Sequence, residues 1–112
     1  MLTIYHNPRC SKSREALALL ESSGESFDVV NYLEDMPSTM VLRDALHALS
    51  SEVLLRIQEP DYKAHFANRD MTDEDVVALL QLYPKVLQRP LVTDGKRWVV
   101  GRPIENIQKF LK

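Results

Sequence analysis

Apolar residues in the first third of the chain are spaced as in a strand, a helix and a second strand. Residues 2–6, LTIYH, are mostly apolar, aromatic or β-branched and end at an Asn-Pro pair, which predicts a buried strand. Residues 11–24, SKSREALALLESSG, carry apolar side chains on one helical face and end at Gly24, a residue suited to the left-handed conformation beyond a helix. Residues 27–33, FDVVNYL, predict a second strand. These elements predict a βαβ unit with parallel strands and a right-handed crossover.

The middle of the chain, residues 37–83, has a helical pattern throughout. Residues 38–50 predict an amphipathic helix, and residues 51–58, SEVLLRIQ, predict a shorter one. Residues 71–84, MTDEDVVALLQLYP, predict a further helix that Thr72 opens with a capping box. No repeat or linker separates these helices from their flanks, so we expect a helical insertion packed on the same domain.

The last segment returns to strands. LVTDGKRWVVG predicts an antiparallel hairpin with a type I′ turn at Asp94-Gly95. RPIENIQKFLK predicts a final helix with Pro103 at its first position. A βαβ unit and a ββα unit that share one small mixed sheet make an α/β fold of the thioredoxin-like type. We therefore predict a single thioredoxin-like domain over residues 1–112, with the helical insertion at about 37–83.

Composition narrows the classes of protein to which the chain can belong. A length of 112 residues suits one domain with a hydrophobic core. No apolar run approaches the roughly 18 residues of a membrane span, and the N-terminus shows no export signal, so we expect a cytoplasmic protein without membrane contact. A net charge of -2 gives no general attraction to nucleic acid. One cysteine and three scattered histidines predict no metal site.

The only cysteine, Cys10, lies where the first strand gives way to the first helix. Lone cysteines often fill apolar cores, but this one is surrounded by polar or cationic residues, namely Asn7, Arg9, Ser11, Lys12, Ser13 and Arg14. The backbone N–H groups of residues 11–13 and the helix dipole favour an anion at this position, and Ser11 and Ser13 can donate hydrogen bonds to the sulfur or to an oxyanion. The stretch therefore predicts a reactive thiolate.

Spacing excludes two other kinds of cysteine site. A tyrosine-phosphatase-like loop requires an Arg six residues after the cysteine, where this chain has Ala16. A dithiol exchanger requires a second cysteine, and Ser13 occupies the partner position. The prediction is a monothiol site whose resolving thiol comes from another molecule.

Several segments together resemble the arsenate reductase family of the glutathione and glutaredoxin-coupled type. They are IYHNPRCSKSREAL, NYLEDMPST, VLLRIQEPDYK, QRPLV and GRPIE, and they span nearly the whole chain. The resemblance implies that Cys10 is the nucleophile and that Arg56, Arg89 and Arg102 surround it and bind the substrate oxyanion. Spacing alone does not bring these arginines together, since Arg56 could be a solvated helix charge and the other two turn residues.

The resemblance also assigns supporting positions and a reaction. Pro90 occupies the place of the cis proline that faces the active thiol in thioredoxin-like folds, and His6 either tunes the sulfur or ends the strand. The implied activity is reduction of arsenate to arsenite through a covalent Cys10 adduct. Glutathione would act as co-substrate and glutaredoxin as partner, with no tightly bound cofactor, and the protein would be a monomer.

One segment departs from better-known members of the family. Ser11 and Lys12 follow the cysteine where those proteins have Gly-Thr, which would change how backbone N–H groups approach an oxyanion. Two alternatives to arsenate reduction therefore stay open. One is a related glutathione-dependent monothiol oxidoreductase with another substrate. The other is an Spx-like regulator that binds RNA polymerase, although the redox form of such regulators uses a second cysteine where this chain has Ser13.

Overall fold

The computed structural model describes all residues, 1–112, and follows the predicted order of elements. The elements are strand β1 (Leu2–His6), helix α1 (Ser11–Ser23), strand β2 (Phe27–Asn31), helices α2 (Thr39–Leu54), α3 (Pro60–His65) and α4 (Asp73–Leu82), a 3-10 turn (Pro84–Val86), strands β3 (Leu91–Thr93) and β4 (Trp98–Val100), and helix α5 (Glu105–Phe110). The chain divides into two compact units. We call residues 1–35 with 89–112 the sheet unit, and residues 36–88 the helical unit.

The sheet unit contains one four-stranded mixed sheet with the strand order β2-β1-β3-β4. Strand β1 runs parallel to β2, with Leu2 opposite Phe27, and antiparallel to β3, with Ile4 opposite Val92. Strands β3 and β4 form an antiparallel hairpin. The predicted βαβ and ββα units in one mixed sheet are therefore confirmed.

Helices α1 and α5 pack on one face of this sheet. The core between them consists of Leu2, Ile4, Ala16, Leu20, Val92, Ile107 and Phe110. Helix α1 ends, as predicted, with Gly24 in the left-handed conformation at φ 79°. This packing fixes the start of α1 next to the end of β1, where Cys10 lies.

The helical unit is built mainly from α2 and α4, which pack against each other. The predicted capping box at Thr72 is present, because the Thr72 hydroxyl accepts the N–H of Asp75 and the Asp75 carboxylate accepts the N–H of Thr72. The prediction for residues 51–58 was wrong beyond Leu54. The N–H of Gln88 donates to the Leu54 carbonyl at 2.8 Å, and the N–H of Arg56 donates to the Val86 carbonyl at 2.7 Å. These long-range bonds replace helical ones, so Arg56 lies on an extended segment.

The hairpin turn differs from the predicted type I′. The paired residues Thr93 and Trp98 enclose a four-residue loop, in which Gly95 alone has a positive φ, of 97°. The Asp94 carboxylate accepts the backbone N–H groups of Lys96 and Arg97 at 2.9 and 2.7 Å. These hydrogen bonds stabilise the four-residue loop, because they give partners to backbone N–H groups that the pairing of the two strands does not satisfy.

The start of the last helix was also predicted wrongly. Helix α5 begins at Glu105, whereas Pro103 lies in the preceding turn after a cis Arg102–Pro103 bond. Asn106 holds this turn, since its side-chain Nδ2 donates to the carbonyls of Val100 and Arg102, both at 3.1 Å. No helix of the protein has the length and apolar character of a membrane span.

Candidate active site

Cys10 is the residue that precedes α1, and a tight loop holds it there. Its backbone is extended, at φ −94° and ψ 121°, and its N–H donates to the Asn7 carbonyl at 3.0 Å. The Asn7 side-chain oxygen accepts the N–H of Arg9 at 3.0 Å, and Arg14 Nη1 donates to the Pro8 carbonyl at 2.9 Å. These bonds fix the sulfur at the N-terminal end of the helix, where the backbone favours a negative charge.

Sheet topology brings two arginines to the same edge as Cys10. Because β3 and β4 form a hairpin and β3 runs antiparallel to β1, the end of β1, the start of β3 and the end of β4 meet at one edge. Arg89 comes shortly before β3 and Arg102 shortly after β4. Arg102 Nη2 donates to Cys10 Sγ at 3.1 Å, while its Nε donates to the Arg89 carbonyl at 2.7 Å. The second bond orients the guanidinium that the first presents to the sulfur.

The surroundings of Cys10 lower the pKa of its thiol. Burial raises this pKa, but the backbone at Ser13, a hydrogen bond from the Arg89 side chain, the backbone at Lys12 and the charge of Arg102 lower it and together outweigh the effect of burial. The backbone at the start of α1 thus favours the thiolate, although the Cys10 side chain accepts no capping hydrogen bond from it. A thiol with a lowered pKa carries more thiolate, the form that acts as a nucleophile.

His6 and Ser13 form a buried polar pair behind the cysteine. His6 ends β1 with 6% exposure, and its Nδ1 lies 2.6 Å from Oγ of the fully buried Ser13. The Ser13 hydroxyl also accepts the N–H of Asn7 at 3.0 Å, so it holds the loop that leads to Cys10. Burial and the charge of Arg14 lower the pKa of His6, which favours a neutral ring. His6 thus ends the strand and also braces the first turn of α1.

The other predicted supporting residues lie at the rim of the site. Ser11, Lys12 and Arg14 are exposed. Lys12 Nζ lies 3.9 Å from the Glu15 carboxylate. Arg89 and Arg102, rather than these side chains, act directly on the sulfur.

Pro90 and Gly101 make a close contact that sequence reasoning did not anticipate. The Arg89–Pro90 bond is cis, Pro90 is buried, and its carbonyl accepts the N–H of Gly101 at 2.9 Å. A Cβ on Gly101 would lie 2.8 Å from Pro90 Cγ and 2.6 Å from Ile107 Cδ1, so only glycine fits without a shift. Neither Gly101 nor Asn106 carries a signal in the sequence, because both act through contacts that exist only in the folded hairpin.

Arg56 belongs to the helical unit. Its guanidinium is 21% exposed and lies 3.9 Å from the Glu59 carboxylate. Its predicted part in oxyanion binding stays a prediction.

The sheet unit alone brings together a nucleophile and positive charge. A thiolate beside two guanidinium-bearing residues can attack the central atom of a bound oxyanion, because the cations neutralise the charge that would repel the nucleophile. No three His, Cys, Asp or Glu side chains cluster in a way that could hold a metal ion.

Comparisons with known proteins assign the chain to one family. The ArsC family model matches residues 5–110. An arsenate reductase from Neisseria meningitidis is 37% identical, with 98% of this chain and 97% of that protein covered. The uncharacterised Escherichia coli protein YfgD is 40% identical, with 96% and 94% covered. The solved structure of an arsenate reductase from Vibrio cholerae gives a TM-score of 0.88 at 36% identity, with 96% and 95% covered. The resemblance and the thioredoxin-like fold are confirmed: this chain belongs to the ArsC family.

Proposed function

We propose that this protein is an arsenate reductase that uses thiols as its source of electrons. The observation that carries the proposal is the environment of Cys10. Its sulfur lies at the start of a helix and accepts a hydrogen bond from the Arg102 guanidinium at 3.1 Å. Family membership supports arsenate as the substrate, since relatives of similar length are named arsenate reductases.

The first step is attack of the Cys10 thiolate on the arsenic of bound arsenate. A sulfur–arsenic bond forms and one arsenic–oxygen bond breaks, and the departing oxygen takes up a proton and leaves as water. Arg89 and Arg102 offset the negative charge of the arsenate oxygens as the anionic nucleophile approaches. Arsenic stays pentavalent in this adduct.

The second step transfers two electrons and requires a thiol from outside the chain, because Cys10 is the only cysteine. The thiolate of glutathione attacks the Cys10 sulfur, so that a disulfide forms while the electrons of the sulfur–arsenic bond pass to arsenic. Trivalent arsenite leaves. A second thiol, which we assign to glutaredoxin, then attacks the mixed disulfide and restores Cys10 by exchange.

The proposal also includes features that come from the family resemblance. By the family resemblance, Arg56 is the third guanidinium that binds the oxyanion. The enzyme acts as a monomer. The reaction consumes reduced thiols, which suits the reducing cytoplasm.

The test is arsenate-dependent NADPH oxidation in an assay with glutathione, glutaredoxin and glutathione reductase. We expect turnover by the wild type and none by Cys10→Ser. The same assay with phosphate in place of arsenate is the matched control, because phosphate has a similar shape and charge but is not reduced. Absence of arsenate-dependent turnover by the wild type would contradict the proposal. A reactive, low-pKa thiol without arsenate turnover would favour the related monothiol oxidoreductase with another oxidised substrate.

A further inference from the structure

A cavity of about 350 Å³ lies beside the loop that carries Cys10. It is lined by Asn7, Pro8, Arg9, Asn31, Leu33 and Glu34, and we call it the β1–β2 cavity because its walls follow these two parallel strands. Its volume falls within the range of small-molecule sites. Arg9 directly precedes Cys10, so the cavity is lined by the same loop that carries the reactive cysteine.

Two amide groups in the β1–β2 cavity present hydrogen-bond donors. The side-chain oxygen of Asn7 accepts the N–H of Arg9 at 3.0 Å, and that of Asn31 accepts the N–H of Leu33 at 3.3 Å. The Nδ2 group of each asparagine has no protein partner, although Asn7 is only 9% exposed. A buried amide with its oxygen satisfied and its nitrogen open to a cavity is suited to bind a carboxylate.

The cavity also contains two opposite charges that do not neutralise each other. Arg9 and Glu34 form no ion pair with each other or with any other side chain. A guanidinium with neighbouring amide donors complements a carboxylate, and a separate carboxylate complements an ammonium group. Both groups occur together in the zwitterionic end of an amino acid. Pro8 and Leu33 supply an apolar wall for the carbon chain between them.

We propose that the β1–β2 cavity binds the zwitterionic end of the small thiol that resolves Cys10. The inference rests on the proposed function, which requires such a thiol. The cavity indicates where this thiol binds and to which chemical class it belongs. A tripeptide-sized thiol spans up to about 10 Å when extended. It can therefore keep its charged end between Arg9 and Glu34 while its sulfur reaches Cys10.

The test isolates the thiol step from arsenate chemistry. Cys10 is first converted to a mixed disulfide with a coloured aryl thiol. Glutathione thiolate then attacks the Cys10 sulfur, so that a new disulfide forms and the aryl thiolate leaves and is measured by absorbance. The comparison thiol is β-mercaptoethanol, which has no zwitterionic end. Glu34→Gln and Arg9→Gln change the cavity, and Glu21→Gln is the matched control, since Glu21 is exposed on α1 outside the cavity.

We expect the rate with wild type and Glu21→Gln to saturate as the glutathione concentration rises. Glu34→Gln and Arg9→Gln should each raise the half-saturating concentration about two- to fivefold, the effect of one exposed ionic contact. The rate with β-mercaptoethanol should be the same in wild type, Glu21→Gln and Glu34→Gln, and Arg9→Gln should lose more of its rate with glutathione than with β-mercaptoethanol. The inference is overturned by a glutathione dependence that is linear and equal in all of them. An equal loss with both thiols also overturns it, because the effect would then lie in the reactivity of Cys10.

Arsenate turnover is measured separately on the same proteins. Turnover by the wild type with no effect of the cavity variants on exchange would sustain the proposed function and overturn the cavity inference. Saturable exchange that depends on Glu34, without arsenate turnover, would sustain the cavity inference and overturn the proposed function.

Discussion

Removal of the Arg102 guanidinium should raise the pKa of Cys10 and so lower the fraction of thiolate. Arg102 Nη2 donates to Cys10 Sγ at 3.1 Å. A hydrogen bond to a charged group contributes about 1.5–3 kcal/mol. Since Cys10 is only partly buried, solvent screens the interaction and the lower end applies. A loss of about 1.4 kcal/mol is a factor of ten in an equilibrium constant, so in Arg102→Ala the thiolate fraction at a pH well below the pKa should fall about tenfold.

The assay is the rate of Cys10 alkylation by iodoacetamide as a function of pH. Arg102→Lys should raise the pKa of Cys10 less than Arg102→Ala does, because an ammonium keeps the positive charge. Some increase should remain, because an ammonium cannot reproduce the guanidinium that also bonds the Arg89 carbonyl. Lys109→Ala is the control, since it removes one exposed positive charge from α5 without touching the sulfur. An unchanged pKa in Arg102→Ala would refute the reasoning. An equal shift in Lys109→Ala would assign the effect to net charge.

Three further predictions concern packing, pH and substrate binding. Gly101→Ala should lower the free energy of unfolding in urea by about 1–3 kcal/mol, because the new methyl group collides with Pro90 and Ile107. The pKa of His6 is lowered in the folded chain, so the unfolded chain binds more protons as the pH falls below about 6.5, and stability decreases there. His6→Gln should flatten this part of the stability profile in urea unfolding at several pH values. Arg56→Ala should raise the KM for arsenate, whereas Arg69→Ala should leave it unchanged.

Local signals in the sequence were sufficient for most of the fold. The helix end at Gly24 and the capping box at Thr72 depend on residues within one turn of each other, so the sequence shows them directly. The parallel strands of the βαβ unit follow from the length of the helix between them.

The errors occur where distant residues decide the local structure. The helix predicted beyond Leu54 is replaced by backbone bonds to Val86 and Gln88, at least thirty residues away. At Pro103, a favoured first helical residue lies instead in a turn that the Asn106 side chain holds. Propensity could not reveal either contact, since tertiary hydrogen bonds override preferences of a few tenths of a kcal/mol up to about one.

The same distinction between local and distant signals applies to the residues of the candidate site. Cys10 could be identified from its neighbours alone, because the cations and the helix start lie within a few residues of it. Arg89 and Arg102 were named through the family resemblance, and the sheet order explains why they meet the cysteine. Arg89 and Arg102 lie 79 and 92 positions after Cys10. Helix and strand periodicity cannot relate residues that are so far apart in the sequence.

The arrangement of Arg102 has a consequence for catalysis that the sequence cannot show. Its Nε is bonded to the Arg89 carbonyl, and its own carbonyl is bonded to Asn106, so both ends of the residue are fixed before a substrate binds. An arginine loses about 1.5–2 kcal/mol of rotamer entropy when it is ordered, and here folding has already ordered it. Binding of an oxyanion therefore does not have to supply that free energy. In the proposed mechanism the oxygens of the attacked oxyanion come to lie beside this guanidinium, and a donor that is fixed before charge develops on them stabilises a transition state most effectively.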